Sequence, residues 1–308
     1  MNIQQLKLFS DVVQYGSVNK AAQVNYISPS TLSRSIQELE RSTNTVLFQR
    51  SYSGMKLTQQ GEEFFVMVQP ILYDIQQLED TYFNDEGSDL LRLTVCVQQN
   101  SLAMQCIIEF YNTYAVQKQH IDIVVPAYSS FNETLDAMIK KHFMLGVVQY
   151  NSMEEEDVMD IFNRKRLQVL YRKSTPVHVV INADHPLASH SSLTLEDLDP
   201  YPRLSYINTA VPDINYHTDT NNYSYMKTAR RILIKERAQL TDLVSYTDAY
   251  FLGTSASQIT ADNSRMRYIP LEGMNNEPVT VLLGYQNHGL NQNAQRFLDI
   301  FKRAAESM

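Results

Sequence analysis

Ser28, Pro29, Ser30, Thr31, Ser33, Arg34 and Gln37 stand close together near the N-terminus, and their types and spacing suit a helix that reads DNA. Ser28 can cap such a helix, and Pro29 suits its first position, where the missing N–H costs nothing. Leu32, Ile36 and Leu39 then share one face, while Ser30, Arg34, Gln37 and Arg41 share the opposite one. The major groove admits one helix, the helix N-terminus attracts phosphate, and the first two turns reach base edges. Arg34 is the best-suited base reader, because a guanidinium pairs bidentately with guanine. Ser30 and Thr31 are short enough to touch bases or backbone near the cap. A small three-helix bundle with a solvated polar face has the same spacing, so the pattern alone leaves both readings open.

Other chemistry fits less well. His185 and His190 are five apart, the wrong spacing for one helical face, and no Cys or carboxylate cluster completes a metal site. Cys96 and Cys106 fall among apolar neighbours and read as buried thiols; two cysteines cannot build a disulfide framework. GxGxxG, GxxxxGK[ST] and GxSxG are absent, and with 9 glycines in 308 residues phosphate-cradling loops are scarce. Glu154-Glu155-Glu156-Asp157 reads as a solvated acidic turn. The expectation is a protein that is not an enzyme and needs no cofactor.

Helices must place the candidate reader. Ile3, Leu6, Phe9 and Val13 recur at spacings of three and four, as on an amphipathic helix. Gly16 ends it, and Ser17 can cap a short second helix whose Ala21-Ala22 pair allows close packing. Residues 1–61 hold Lys7, Lys20, Arg34, Arg41, Arg50 and Lys56 against Asp11, Glu38 and Glu40, although the whole chain carries -8. A basic head on an acidic body points to a nucleic-acid partner for the head.

Thr58 can cap a further helix to about Tyr82. Its apolar positions Phe64, Val68, Ile71, Ile75, Leu78 and Tyr82 follow spacings of 4, 3, 4, 3 and 4, the seam of a helix that pairs with a second copy. An interior proline, Pro70, predicts a bend near Val66–Pro70. Residues 84–88 read as a hinge.

From Leu90 the period changes. Leu91, Leu93, Val95 and Val97 alternate with polar residues as in a strand, a helical stretch runs to about Tyr114, and Ile121–Val125 follows as a buried strand. Thr134–Lys141 reads as a helix and Leu145–Val148 as a strand, which implies a parallel sheet with helices on its faces. A second set follows: strands near Leu167–Tyr171 and Val177–Ile181, helices near Tyr225–Lys235 and Thr241–Tyr246, and a strand near Tyr250–Leu252. The chain returns through Val279–Tyr285 to a last helix, Gln292–Ala305. Two such lobes leave a cleft, and sheets of this kind bind ligands beyond the carboxyl ends of their strands. Tyr201–Tyr225 holds five tyrosines without periodicity and reads as a surface loop in preference to an aromatic lid.

Phe9, Gly16-Ser17, Lys20-Ala21-Ala22, Ile27-Ser28, Leu32-Ser33-Arg34-Ser35-Ile36, Leu39-Glu40, Leu47-Phe48-Gln49-Arg50, Leu57-Thr58, Gly61 and Phe64 together resemble the DNA-binding domain of LysR-type transcriptional regulators. The resemblance implies a winged helix-turn-helix with its wing near Ser51–Lys56, so that Ser17, Arg50 and Lys56 join the recognition helix as DNA-binding candidates. It also implies that Phe64, Val68, Ile71, Ile75 and Leu78 form a dimerisation helix. Two departures stand out. The family often has Gln-Pro after the capping serine, where this chain has Pro29-Ser30, and this wing is poorer in arginine, which predicts a shallower salt dependence.

Asp184-His185-Pro186-Leu187-Ala188 followed by Leu193-Thr194-Leu195-Glu196-Asp197-Leu198 is similar to a recurrent segment of LysR-type effector domains, which are related in fold to periplasmic solute-binding proteins. That likeness implies a small-molecule effector between the lobes. By position Asn100, Ser101, Tyr128, Ser129, Ser130, Ser205 and Tyr206 would line its site.

The expected fold is therefore an N-terminal all-α winged helix-turn-helix plus linker helix and a C-terminal α/β two-lobed, periplasmic-binding-protein-like effector domain. The expected domains are 1–58 for the head, 59–87 for linker and hinge, and 88–308 for the body, with lobe I at about 88–162 and 268–308 and lobe II at about 163–267. The resemblance implies double-stranded DNA, a second copy of the chain (as dimer and tetramer) and RNA polymerase as partners. No apolar run nears the roughly 20 residues needed to span a bilayer, and the N-terminus lacks a basic, apolar leader, so the chain is expected in the cytoplasm. An intracellular solute-binding protein or an α/β enzyme with a non-specific basic head is the alternative. An outward Ser30-Thr31-Arg34 set argues against the first, and the lack of an activated nucleophile or acid/base pair against the second.

Overall fold

A computed structural model of the chain describes residues 1–51, 54–82, 90–98, 101–116, 118, 120–128, 130–141, 143–206, 230–235, 237–254, 265–273, 277–286 and 289–307. The side chains of residues 50, 51, 76, 77, 80–82, 90 and 101 lie outside that description. The described residues form two compact units: Met1–Leu90 with Asp136–Met144, and Leu91–Leu135 with Leu145–Met308. The long helix expected to stand apart at 59–87 therefore clusters with the head.

The head runs α1 (Ile3–Tyr15), α2 (Val18–Val24), α3 (Pro29–Thr43), β1 (Phe48–Ser51), β2 (Gly54–Leu57) and α4 (Gln59–Tyr82). Side-chain caps start its helices. Asn2 and Gln5 form a reciprocal pair at the head of α1, Ser17 accepts the Lys20 N–H, Ser28 accepts the Thr31 N–H, and Thr58 accepts the Gly61 N–H at 2.9 Å. Each cap satisfies an N–H that the helix itself leaves unbonded. Phe9, Val12, Leu32, Leu39 and Leu47 are buried at the centre, and the Phe9 ring meets Phe48 and Phe64 at 5.2 Å. Burying such a side chain is worth about 2–3 kcal/mol. Gly61 lets α4 start against the wing, since a Cβ there would lie 2.1 Å from the Leu47 carbonyl oxygen. α4 continues as one helix through the buried Pro70.

Beyond the head's own elements the chain runs β3 (Leu90–Gln98), α5 (Ser101–Phe110, extended by a π-helical turn to Ala115), β4 (His120–Val124), β5 (Ala127–Tyr128), α6 (Phe131–Lys140), β6 (Leu145–Asn151), α7 (Glu155–Arg164) and β7 (Leu167–Ser174). It continues through β8 (Val177–Asn182), β9 (Arg203–Tyr206), β10 (Arg231–Ile234), α8 (Arg237–Tyr246), β11 (Phe251–Thr254), β12 (Met266–Pro270), β13 (Pro278–Tyr285) and α9 (Gln292–Glu306). One sheet has the order β4-β3-β6-β13-β7, with β5 added on β3. β3 is parallel to β5 and β6, whereas β13 is antiparallel to β6 and β7. The second lobe holds β11-β8-β12, antiparallel, and the parallel pair β9-β10, tied together by a bridge from Arg203 to Tyr250.

Several boundaries differ from expectation. β7 pairs with β13, so lobe I extends to Ser174 and the crossover falls at residues 174–177, where 163 was expected. β12 pairs with β8, so the return to lobe I starts after Pro270, where 268 was expected. A strand's own pattern does not say which of two sheets it joins. The helix expected at Tyr225–Lys235 is, where described, the strand β10, and its β-branched Ile232 and Ile234 suit a pleated surface. Residues 225–229 lie outside the described residues, as do 83–89 with the expected hinge and Tyr216 and Tyr223 of the tyrosine-rich stretch. The acidic run expected as a turn supplies Glu155, Glu156 and Asp157 to the first turn of α7, where negative charge offsets the positive end of the helix dipole. No helix among the described residues is long and apolar enough to cross a membrane.

Candidate nucleic-acid interface and effector cleft

α3 buries Leu32, Ile36 and Leu39 and turns Ser28, Pro29, Ser30, Thr31, Arg34 and Gln37 outward, with Ser33 half-buried. Ser28 Oγ lies 2.8 Å from both Ser30 Oγ and Thr31 Oγ1 while accepting the Thr31 N–H at 3.1 Å. Three hydroxyls are thus pre-ordered at the positive end of the helix, one turn before Arg34. The turn into α3 is held by Asn25, whose amide donates to Asp11 Oδ2 at 2.7 Å and to the Ala21 carbonyl at 2.9 Å. Burial raises the Asp11 carboxyl above its ordinary range, and the bond from Asn25 opposes that. Tyr26 closes the turn in a left-handed conformation, φ +54°.

The wing is fastened at both ends. Glu40 Oε1 accepts the N–H groups of Leu47 (2.8 Å) and Phe48 (3.2 Å), which ties the end of α3 to β1. The Met55 N–H donates to the Gly16 carbonyl at 3.0 Å, and a Cβ on Gly54 would lie 2.4 Å from that same oxygen. Ser17, the α2 cap, therefore adjoins the residue that anchors the wing. Lys56 is exposed on β2; Arg50 lies on β1 opposite Met55, its side chain outside the description. The anchoring roles of Glu40, Gly16 and Gly54 were missed in the sequence, where only a glycine in a short hairpin hinted at them.

On α4 the expected seam divides. Phe64 is half-buried against Phe9, and Val68 is 2% exposed in the head's core, so Val68 is not available to a partner. Met67, Ile71 and Leu78 are exposed and Ile75 is half-buried. The outward strip is therefore Met67, Ile71, Ile75 and Leu78. The 4,3 spacing describes two adjoining seams equally well, and the Phe9 ring claims one of them.

In the second unit, Tyr128 ends β5 beside Gln98, and Ser205 and Tyr206 end β9. Register puts these at the sheet ends nearest the crossovers: Asn151 faces Pro278 in the first sheet, and Thr254 faces Val177 in the second. Ser130 caps α6, accepting the Glu133 N–H at 3.2 Å through Oγ. Ser101 starts α5, whereas Asn100 and Ser129 lie outside the described residues. Near these ends Gln98 Oε1 accepts the Gln149 N–H at 2.9 Å. Gln149 Nε2 and, on the crossover, Thr175 Oγ1 are buried without a hydrogen-bond partner among the described residues. Neither was foreseen. A buried polar atom left unpaired costs about 1–3 kcal/mol.

His185 is structural, as expected. The Leu187 N–H donates to its Nδ1 at 3.1 Å, so Nε2 carries the proton and donates to the Asp248 carbonyl at 3.2 Å. Burial lowers its pKa from the usual range. Cys96 and Cys106 are buried; burial raises the Cys96 thiol and pushes Cys106 up to about 12, with Glu109 adding to the latter. Among the described residues no cluster of His, Cys, Asp and Glu could hold a metal ion.

A capped reading helix, its supporting helices and a β-hairpin fastened to them define a winged helix-turn-helix domain. Residues 3–62 match the family model "Bacterial regulatory helix-turn-helix protein, lysR family". Residues 3–62 thus carry a helix-turn-helix domain of the lysR type. A regulator of Bacillus subtilis named YvbU, itself called uncharacterized, is 26% identical over 208 residues, 66% of this chain and 65% of that one. The regulator CzcR of Bacillus cereus is 28% identical over 162 residues, 51% and 54%. A probable RuBisCO transcriptional regulator of Cyanidioschyzon merolae is 40% identical over 90 residues, 28% and 30%. The chain thus matches between about a third and just under two thirds of the length of these curated relatives. In fold, it resembles full-length OxyR C199D of Pseudomonas aeruginosa, with a TM-score of 0.62 at 14% identity over 99% of this chain and 95% of that one.

Proposed function

We propose that the chain is a sequence-specific, DNA-binding transcriptional regulator controlled by a small molecule. The observation that carries this reading is the outward presentation of α3: its apolar side is buried, while Ser30, Thr31, Arg34 and Gln37 face solvent beyond a capped N-terminus. Two copies pair through Met67, Ile71, Ile75 and Leu78, placing two recognition helices on half-sites of an interrupted dyad near a promoter. The bodies pair the dimers into a tetramer in the cytoplasm. An effector bound between the lobes beside Tyr128, Ser205 and Tyr206, with Gln149 and Thr175 as further candidates, alters the lobe angle, hence the spacing of the heads and their contact with RNA polymerase. In this reading the protein performs no chemistry of its own and needs no cofactor. Footprinting on a duplex selected by the full-length protein from a random-sequence library tests the proposal. Protection of two separated half-sites is expected; protection of none refutes it.

A further inference from the structure

The two halves of α4 are held to the head by different means. Before Pro70, Phe65, Val68 and Gln69 are buried against α1, and Gln69 Nε2 donates to Ser10 Oγ at 3.3 Å inside the core. Leu72 and Tyr73 continue that burial for one turn. Beyond Tyr73 no described side chain of α4 is buried. There an ion pair joins the helix to α1, with Lys7 Nζ 2.7 Å from Glu79 Oε1 and both side chains more than a third exposed.

Pro70 lies between these attachments. Having no N–H, it cannot bond the Val66 carbonyl, and the helix bends most easily there. Twelve residues separate Pro70 from Tyr82, an arm of about 18 Å at ~1.5 Å per residue. A tilt of about 10° moves its far end by about 3 Å, close to the ~3.4 Å separating successive base pairs. Small changes in direction at Pro70 therefore correspond to whole steps of operator spacing.

We infer that the Lys7–Glu79 pair is a positioning contact: it sets the direction of the outer half of α4, and with it the spacing at which two heads meet DNA. This rests on the dimer reading above. An exposed ion pair contributes little to stability, and salt screens it. It can nevertheless decide between directions that are nearly equal in energy, because Leu72 and Tyr73 hold only the first turn of the arm and none of its described side chains beyond Tyr73 is buried.

The test uses the full-length protein and a duplex selected from a random library, rebuilt with its spacer longer or shorter by one or two base pairs. The readout is the ratio of affinities between spacers, which cancels any uniform effect of charge near DNA. Lys7→Glu and Glu79→Lys are each expected to weaken the preference for the selected spacer by about fivefold or more, with melting temperature and single-half-site affinity ratios unchanged. The exchange of both charges is expected to restore the preference to within about twofold. In the unaltered protein, raising salt from ~50 to ~200 mM should flatten the same ratio. Unchanged preferences in the single variants, or no restoration in the double, overturn the inference. A protein that selects no two-part duplex at all overturns the regulator reading beneath it.

Discussion

Val68 and Ile71 lie one turn apart on α4 and face opposite fates: Val68 is 2% exposed in the head's core, and Ile71 is 46% exposed. Val68→Glu would bury a charge without a partner and is expected to cost about 4 kcal/mol or more. Ile71→Glu is a surface change worth within about 0.5 kcal/mol to one copy. Thermal melting should separate the two, and light scattering should show Ile71→Glu, combined with Met67→Glu, as a folded monomer. Folded dimers after both changes would remove the outward strip as the pairing surface.

The neutral, Nε2-protonated form of His185 is fastened on both sides, to Leu187 N–H and to the Asp248 carbonyl. Its pKa is lowered in the fold, so the unfolded chain binds the proton more readily. The stability it contributes is full above about pH 6.5 and is lost as pH falls from there through the lower native value. His185→Gln keeps an acceptor and a donor but does not titrate. Melting curves from about pH 7.5 to 5.5 should therefore fall more steeply for the histidine protein than for the glutamine variant; parallel falls would remove this role.

Cys96 and Cys106 are buried, and burial raises both thiols, Cys106 to about 12. At pH ~8 only about one Cys106 in ten thousand is then thiolate, the reactive form. A disulfide reagent should leave the native protein unmodified and titrate two thiols after unfolding. Fast reaction of the folded protein would make a redox role for either cysteine the better account.

What was readable in the sequence follows from how local the signal is. Ser17, Ser28, Pro29 and Thr58 act through their own helix ends, so their positions carried the whole argument, and each stands at the helix start expected of it. The heptad on α4 was legible as a seam, but its facing depended on Phe9, fifty-five residues from Phe64 in sequence. The strand β7 stands where a strand was expected, yet its sheet is chosen by β13, more than a hundred residues later. Gln149 and Thr175 carry no local mark; only burial and register place them near the crossover. Lys7 and Glu79 were visible as charges and not as a pair, since their meeting depends on how α4 lies along α1.

The most direct test of the account is competition binding of the full-length protein and of Arg34→Ala to a library-selected duplex, at two salt concentrations. Arg34 is exposed, so its loss should leave melting unchanged. The account predicts that the unaltered protein prefers the selected duplex over random DNA by about a thousandfold or more. Arg34→Ala should lose about 10- to 100-fold on that duplex alone, the value of one bidentate base contact. Uniform weak binding that vanishes with salt, equal for both proteins and all duplexes, would contradict sequence reading by α3.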